Sequence, residues 1–137
     1  KGQYKLLSSK FNQFITSEYK DNILIRSDGS RPGDNVSTVT QREENNYTLL
    51  KNGKRTILYN TVIRYCVSDL YFTEPQHINR VFSETLGEFL PLKPLGNGYY
   101  ELLLPDDKKN IYRYEKGRLI SVEVDRALGK IFIRPVS

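Results

Sequence analysis

The sequence predicts an all-β fold: a curved antiparallel meander or partly open barrel, residues 1–137 forming a single domain, with one short helix near residues 68–73. Three observations predict it. There is a single alanine, Ala127, and no methionine, whereas Tyr, Phe, Val, Ile, Leu and Thr gather in short segments, a composition that suits pleated surfaces better than helices. Gly and Asn cut the chain into hairpin-sized pieces. The runs between them lie too close together for the long crossovers that parallel strands need. At 137 residues and 38% apolar content, the chain is long enough to bury one core without disulfides or metal.

Taken in order, Lys10 to Thr16, Asn22 to Arg26 and Val36 to Arg42 each read as extended. Ser27-Asp28-Gly29-Ser30-Arg31-Pro32-Gly33-Asp34-Asn35 is dense in turn residues and reads as a mobile loop. Asn52-Gly53, between Tyr47-Thr48-Leu49-Leu50 and Arg55-Thr56-Ile57-Leu58-Tyr59, is the strongest hairpin signal, because a type I′ turn needs positive φ at both central residues. Lys116-Gly117 plays the same part between Ile111–Tyr114 and Leu119–Val124. Asn97-Gly98 leads into Tyr99–Leu104, which Pro105-Asp106-Asp107 ends, and Leu128-Gly129 leads into Lys130–Arg134, which Pro135 stops. The two similar hairpins fall short of a repeat architecture, which needs at least three copies at a fixed period.

Ser68-Asp69-Leu70-Tyr71-Phe72-Thr73-Glu74-Pro75 stands apart from these alternating runs. Ser68 suits an N-cap, Asp69 a first turn, and Pro75 bars continuation, so Asp69 to Phe72 reads as a single helical turn. Leu70 and Phe72 are expected to be buried as a core plug, with Tyr71 nearer the rim where its hydroxyl reaches a polar partner.

The formal charge of +5 permits a polyanionic partner, but the basic residues are scattered among carboxylates. Lys51-Asn52-Gly53-Lys54-Arg55 and Lys108-Lys109 fall at turns and form no basic run, which argues against nucleic acid. Cys66 is the sole cysteine; its apolar neighbours favour a small buried side chain over a reactive thiol. His77 is the sole histidine, so it reads as a surface or capping residue and offers neither a dyad with Cys66 nor a zinc site. Glu43-Glu44 and Asp106-Asp107 face water, and Glu123 with Asp125 share a strand face that reads as hydrated. There is no phosphate-cradling loop, nucleophile elbow or metalloprotease motif, so no enzyme, metal or cofactor is expected. No apolar run approaches the length of a membrane helix. Leu102-Leu103-Leu104, Ile131-Phe132-Ile133 and Ile57-Leu58-Tyr59 are apolar on both faces, which calls for cover by sheet closure, a partner or an apolar ligand.

Tyr65-Cys66-Val67-Ser68-Asp69-Leu70-Tyr71-Phe72-Thr73-Glu74-Pro75, Val81-Phe82-Ser83-Glu84, Gly87-Glu88-Phe89, Tyr100-Glu101-Leu102 with Leu104-Pro105-Asp106, and Asn110-Ile111-Tyr112-Arg113-Tyr114-Glu115-Lys116-Gly117 form an ordered series. From about Tyr47 to the end, this series resembles a family of uncharacterised exported proteins of Bacteroidota. The first forty residues match only loosely. The family favours Pro-Asp-Gly where this chain has Pro105-Asp106-Asp107, a departure that touches a turn. The resemblance implies a removed signal peptide, a trimmed start and a periplasmic or cell-envelope location, and it carries no catalytic residue. The expected function is therefore a non-enzymatic envelope binding module, its partner an envelope protein; the alternative is a periplasmic carrier of an apolar ligand such as a lipid. Leu70, Tyr71, Phe72, Phe82 and Phe132 are the candidate ligand-facing residues.

Overall fold

The computed structural model describes the backbone of residues 3–8, 13–126 and 129–133, and the side chains of residues 13–124. The chain is all-β and divides into two compact units, Lys1–Ser68 with Phe82–Glu88, and Asp69–Val81 with Phe89–Ser137. It passes from one unit to the other at Ser68/Asp69, Val81/Phe82 and Glu88/Phe89.

The first unit is built on an antiparallel meander of β1 (Gln3–Ser8), β2 (Gln13–Lys20), β3 (Ile23–Arg31), β4 (Val36–Glu43), β5 (Asn46–Lys51) and β6 (Lys54–Leu58), which lie side by side in that order. Two-residue turns set its register. Asp21 and Asn22 have φ 53° and 62°, and Asn52 and Gly53 have φ 50° and 84°, the paired positive values of type I′ turns. The Asn52-Gly53 hairpin is thus as expected. Alternation sends Ile15, Ser17, Tyr19, Leu24, Ser27, Thr38, Thr40, Tyr47 and Leu49 to the buried face. A bulge between Glu18 and Tyr19 keeps that alternation in step with β3.

The expected mobile loop over residues 27–35 is corrected: Ser27–Arg31 continues β3, and only Pro32–Asp34 turns, as a 3-10 helix closed by Asn35 at φ 54°. The physical reason lies at Gly29. A Cβ there would stand 2.6 Å from the backbone C and O of Glu84, so this glycine serves a close backbone approach inside a strand, not a turn.

The second set of strands runs in the order β12 (Gly129–Ile133), β11 (Arg118–Arg126), β10 (Lys109–Glu115), β9 (Tyr99–Leu103), β8 (Glu88–Gly96) and β7 (Arg80–Ser83). Asn97-Gly98 and Lys116-Gly117 are again turns with positive φ at both residues. Leu90, Leu92, Tyr100, Leu102, Tyr112, Tyr114, Leu119 and Val122 form the buried face. In β8 the register shifts between Pro94 and Gly96, where proline has no N–H to give the ladder. The two prolines of β8, Pro91 and Pro94, hide this strand from a pattern reading. Among the described residues neither sheet closes into a barrel.

The short helix near 68–73 is present as a 3-10 turn over Val67–Tyr71. Ser68 sits inside it rather than at its cap. The N–H groups of Phe72 and Thr73 both donate to the Asp69 carbonyl at 2.9 Å, ending the turn before Pro75. Leu70 is wholly buried, as expected, and Tyr71 is half-buried. Phe72 is corrected: it is 55% exposed, because the tight turn that buries Leu70 sends Phe72 outward. The need for cover on both faces is corrected in part. Leu102 is buried and Leu103 half-buried, whereas Ile57 and Leu58 are half-buried and Tyr59 is 69% exposed at the end of a sheet-edge strand. The side chains of Ile131, Phe132 and Ile133, and the Leu128-Gly129 turn expectation at residue 128, lie outside the described residues.

Candidate functional site

The β5–β6 hairpin forms one edge of the sheet of the first unit. Its two-residue turn makes Lys51 and Lys54 a closing pair, followed by Leu50 opposite Arg55, Leu49 opposite Thr56, and Thr48 opposite Ile57. In an antiparallel ladder, alternate residues bond to one neighbour and the rest face away. The N–H of Asn52 donates to Ser37 on β4 at 2.8 Å, so the odd-numbered residues of β5 bond to β6. Lys54, Thr56 and Leu58 are therefore spent on β5, while the backbone groups of Arg55 and Ile57 point outward. Among the described residues β6 has no second neighbour. Lys51, Lys54 and Arg55 are exposed, and among the described residues none of them pairs with a carboxylate. Leu50, Tyr59 and Val62 add exposed apolar surface around this basic edge.

Behind the edge, the buried face of the same unit is unusually polar. Ser17 on β2 lies opposite Ser27 on β3, and Ser27 lies opposite Thr40 on β4, so three hydroxyl residues form one row across three strands. The returning segment Phe82–Glu88 lies against them. Ser17 Oγ donates to Glu84 Oε2 at 2.8 Å, and Ser68 Oγ donates to the same oxygen. Thr38 Oγ1 donates to the Thr85 carbonyl at 2.7 Å. Glu84 is wholly buried, and hydroxyl donors are the groups that make such a carboxylate tolerable away from water. Tyr47 performs a similar task nearby, its hydroxyl donating to the Leu24 carbonyl at 2.8 Å and accepting from the Ile63 N–H at 3.2 Å. Burial pushes the Tyr47 phenol above its ordinary pKa.

In the second unit four tyrosines, Tyr71, Tyr100, Tyr112 and Tyr114, meet in pairs. Tyr100 donates to Glu74 Oε2 at 2.6 Å, and Tyr114 donates to the Leu70 carbonyl. The Tyr100 and Tyr114 rings meet edge to face at 5.5 Å, and Tyr71 meets Tyr112 in the same way at 6.1 Å. Burial, then the Glu74 carboxylate, pushes the Tyr100 pKa up to about 12. These contacts hold the segment after Ser68 on the buried face of β9 and β10. They act as supports.

The candidate ligand-facing residues do not form one exposed surface. Leu70 and Phe82 are wholly buried, Tyr71 is half-buried against Tyr112, Phe72 is exposed, and the Phe132 side chain lies outside the described residues. Cys66 is a buried free thiol bridged through its backbone to Phe82, and His77 is exposed. Glu43, Glu44, Asp106 and Asp107 are exposed as expected, and Glu123 is half-buried. Among the described residues no three His, Cys, Asp or Glu side chains gather as metal ligands. No helix among them is long and apolar enough to cross a membrane. The β6 edge and the Glu84 seat were both missed from sequence. The first had a legible hairpin but no legible neighbour count; the second had no clear signal, since Ser83-Glu84-Thr85 after Val81-Phe82 reads as an ordinary polar strand end.

Comparison with known families gives one result: residues 5–136 match the model of a family described as Domain of unknown function (DUF6134). The chain belongs to that family. No curated protein and no solved structure matches it.

Proposed function

We propose that this chain is a non-enzymatic binding module of the cell envelope that takes an extended segment of another envelope protein along the β6 edge. The observation that carries the reading is the outward-facing backbone of Arg55 and Ile57 on a strand with no second neighbour among the described residues. Strand addition at such an edge gains affinity from main-chain hydrogen bonds and selectivity from alternate side chains. Leu50 and Ile57 on one face, with Tyr59 beyond, supply the apolar contacts, and Lys51, Lys54 and Arg55 favour a partner with carboxylates. Edge lysines also discourage indiscriminate pairing, which suits a selective module. The place in the envelope rests on the motif resemblance. The buried faces are occupied by the chain's own large side chains, Leu24, Tyr47 and Ile63 in one unit and Leu70, Leu102 and Tyr112 in the other, which favours a binding surface over an apolar carrier.

A photo-crosslinking amino acid at position 55, in intact cells of the source organism, tests this. A discrete protein adduct in the envelope fraction is expected, and it should disappear with Ile57→Pro, which deletes an outward N–H and leaves the β5 ladder intact. No adduct beyond that obtained with the same probe at Lys116, or an adduct confined to the cytoplasmic fraction, rejects the reading. Lipid extracted in equimolar amount from the purified protein would favour the carrier instead.

A further inference from the structure

We infer that the hydroxyl row of the first unit is a binding site for buried water. Ser27 Oγ, Thr40 Oγ1 and Thr85 Oγ1 are each shielded from solvent, their residues being 1%, 0% and 3% exposed, and none has a hydrogen-bond partner among the described residues. Ser27 and Thr40 are direct cross-strand partners on the buried face, where side chains of opposed residues stand about 5 Å apart at Cβ. Thr85 belongs to the segment whose backbone lies against Gly29, two residues along β3 from Ser27, and its carbonyl takes the Thr38 hydroxyl. Thr38 is in turn the cross-strand partner of Gly29. The three hydroxyls thus come from adjacent positions of one polar seat.

An unpaired buried hydroxyl costs folding free energy, and buried polar groups in folded proteins almost always find partners. Two unpaired hydroxyls of the row, Ser27 and Thr40, with Thr85 on the segment that lies against β3, call for a guest that can both donate and accept. The row is also the least bulky part of the face, with Ser, Gly and Thr where Leu24, Tyr47 and Leu49 flank it. A water molecule with two to four polar partners meets both conditions. Glu84 Oε2 accepts the hydroxyl hydrogens of Ser17 and Ser68, and among the described residues no three acidic, histidine or cysteine side chains gather as a metal site. The role of the water is to seat the returning segment Ser83-Glu84-Thr85 on β3 and β4.

The test is Thr40→Val, which keeps the shape and deletes the hydroxyl. If water is held there, it loses a ligand, and the unfolding equilibrium constant should rise about tenfold. If the row holds no guest, the same change relieves an orphaned polar group, and a higher denaturation midpoint would overturn the inference. In the wild type, magnetisation transfer from long-lived water to the Ser27 and Thr40 amide protons should be visible in NMR spectra. Its absence would equally overturn the inference, whatever Thr40→Val does to folding. A midpoint that moves when sodium is exchanged for potassium or choline at constant ionic strength would replace water by a cation.

Discussion

Ser17 Oγ donates to Glu84 Oε2 at 2.8 Å, joining two residues 67 positions apart in the sequence. The bond fastens the returning segment to the second strand of the first unit. Replacing Glu84 with Ala should strand the Ser17 and Ser68 hydroxyls and open a void, costing about 3 kcal/mol in chemical denaturation. Glu84→Gln retains the shape and an acceptor and should cost less than half of that. Equal losses from the two variants would show that shape and a single acceptor are not enough and that the charged carboxylate is what this position requires.

Gly29 and Gly53 should fail for different reasons. A Cβ at Gly29 meets the backbone of Glu84 at 2.6 Å and of Thr85 at 2.7 Å, neither of which can swing aside, so Gly29→Ala should cost at least about 1–3 kcal/mol by overpacking. A Cβ at Gly53 meets nothing within 4 Å, and the cost of Gly53→Val, about 1–2 kcal/mol, comes from φ 84° alone. Gly53→Asn, which tolerates that region, should recover most of the loss, whereas Gly29→Asn should be worse than Gly29→Ala. The four denaturation midpoints check the ordering.

Leu70 and Phe72 sit two residues apart and should behave oppositely. Leu70 is wholly buried, so Leu70→Ala should cost about 2–5 kcal/mol. Phe72 is 55% exposed, so Phe72→Ala should stay within about 1 kcal/mol of wild type. A large loss at Phe72 would mean that the turn places it inward.

Alkaline stability should be governed by the buried tyrosines. Burial and the Glu74 carboxylate raise the Tyr100 pKa to about 12, and burial raises Tyr112 well above the ordinary value of 10.0. A pKa raised in the folded state favours the protonated phenol there. The associated stability is complete below about pH 10, the value for an unfolded tyrosine, and is lost as the pH rises toward 12 and beyond. Tyrosinate absorbance should therefore lag free tyrosine and then rise with unfolding over that window. Tyr100→Phe should flatten the pH dependence of the midpoint above pH 10. An unchanged profile would remove Tyr100 from this role.

What the sequence determined by itself is local. Asn52-Gly53, Asn97-Gly98 and Lys116-Gly117 declare hairpins because positive φ at adjacent residues is a property of the residue types, and period-two alternation declares which side chains share a face. The existence of a short turn around Val67–Tyr71 and the burial of Cys66 were legible because the Pro75 stop and apolar neighbours act within a few residues. Ser68, read as a cap, instead lies inside the turn and bonds to Glu84. Only the tertiary structure decided that Gly29 belongs inside a strand, because its need for space is set by Glu84, 55 positions away. It also decided that Phe72 faces outward where Leu70 does not, since a tight turn exposes one side whichever apolar residue stands there. Edge status is of the same kind: Arg55 and Ile57 differ from the residues of any inner strand only in what lies beside them, and no neighbour is written in the strand's own residues.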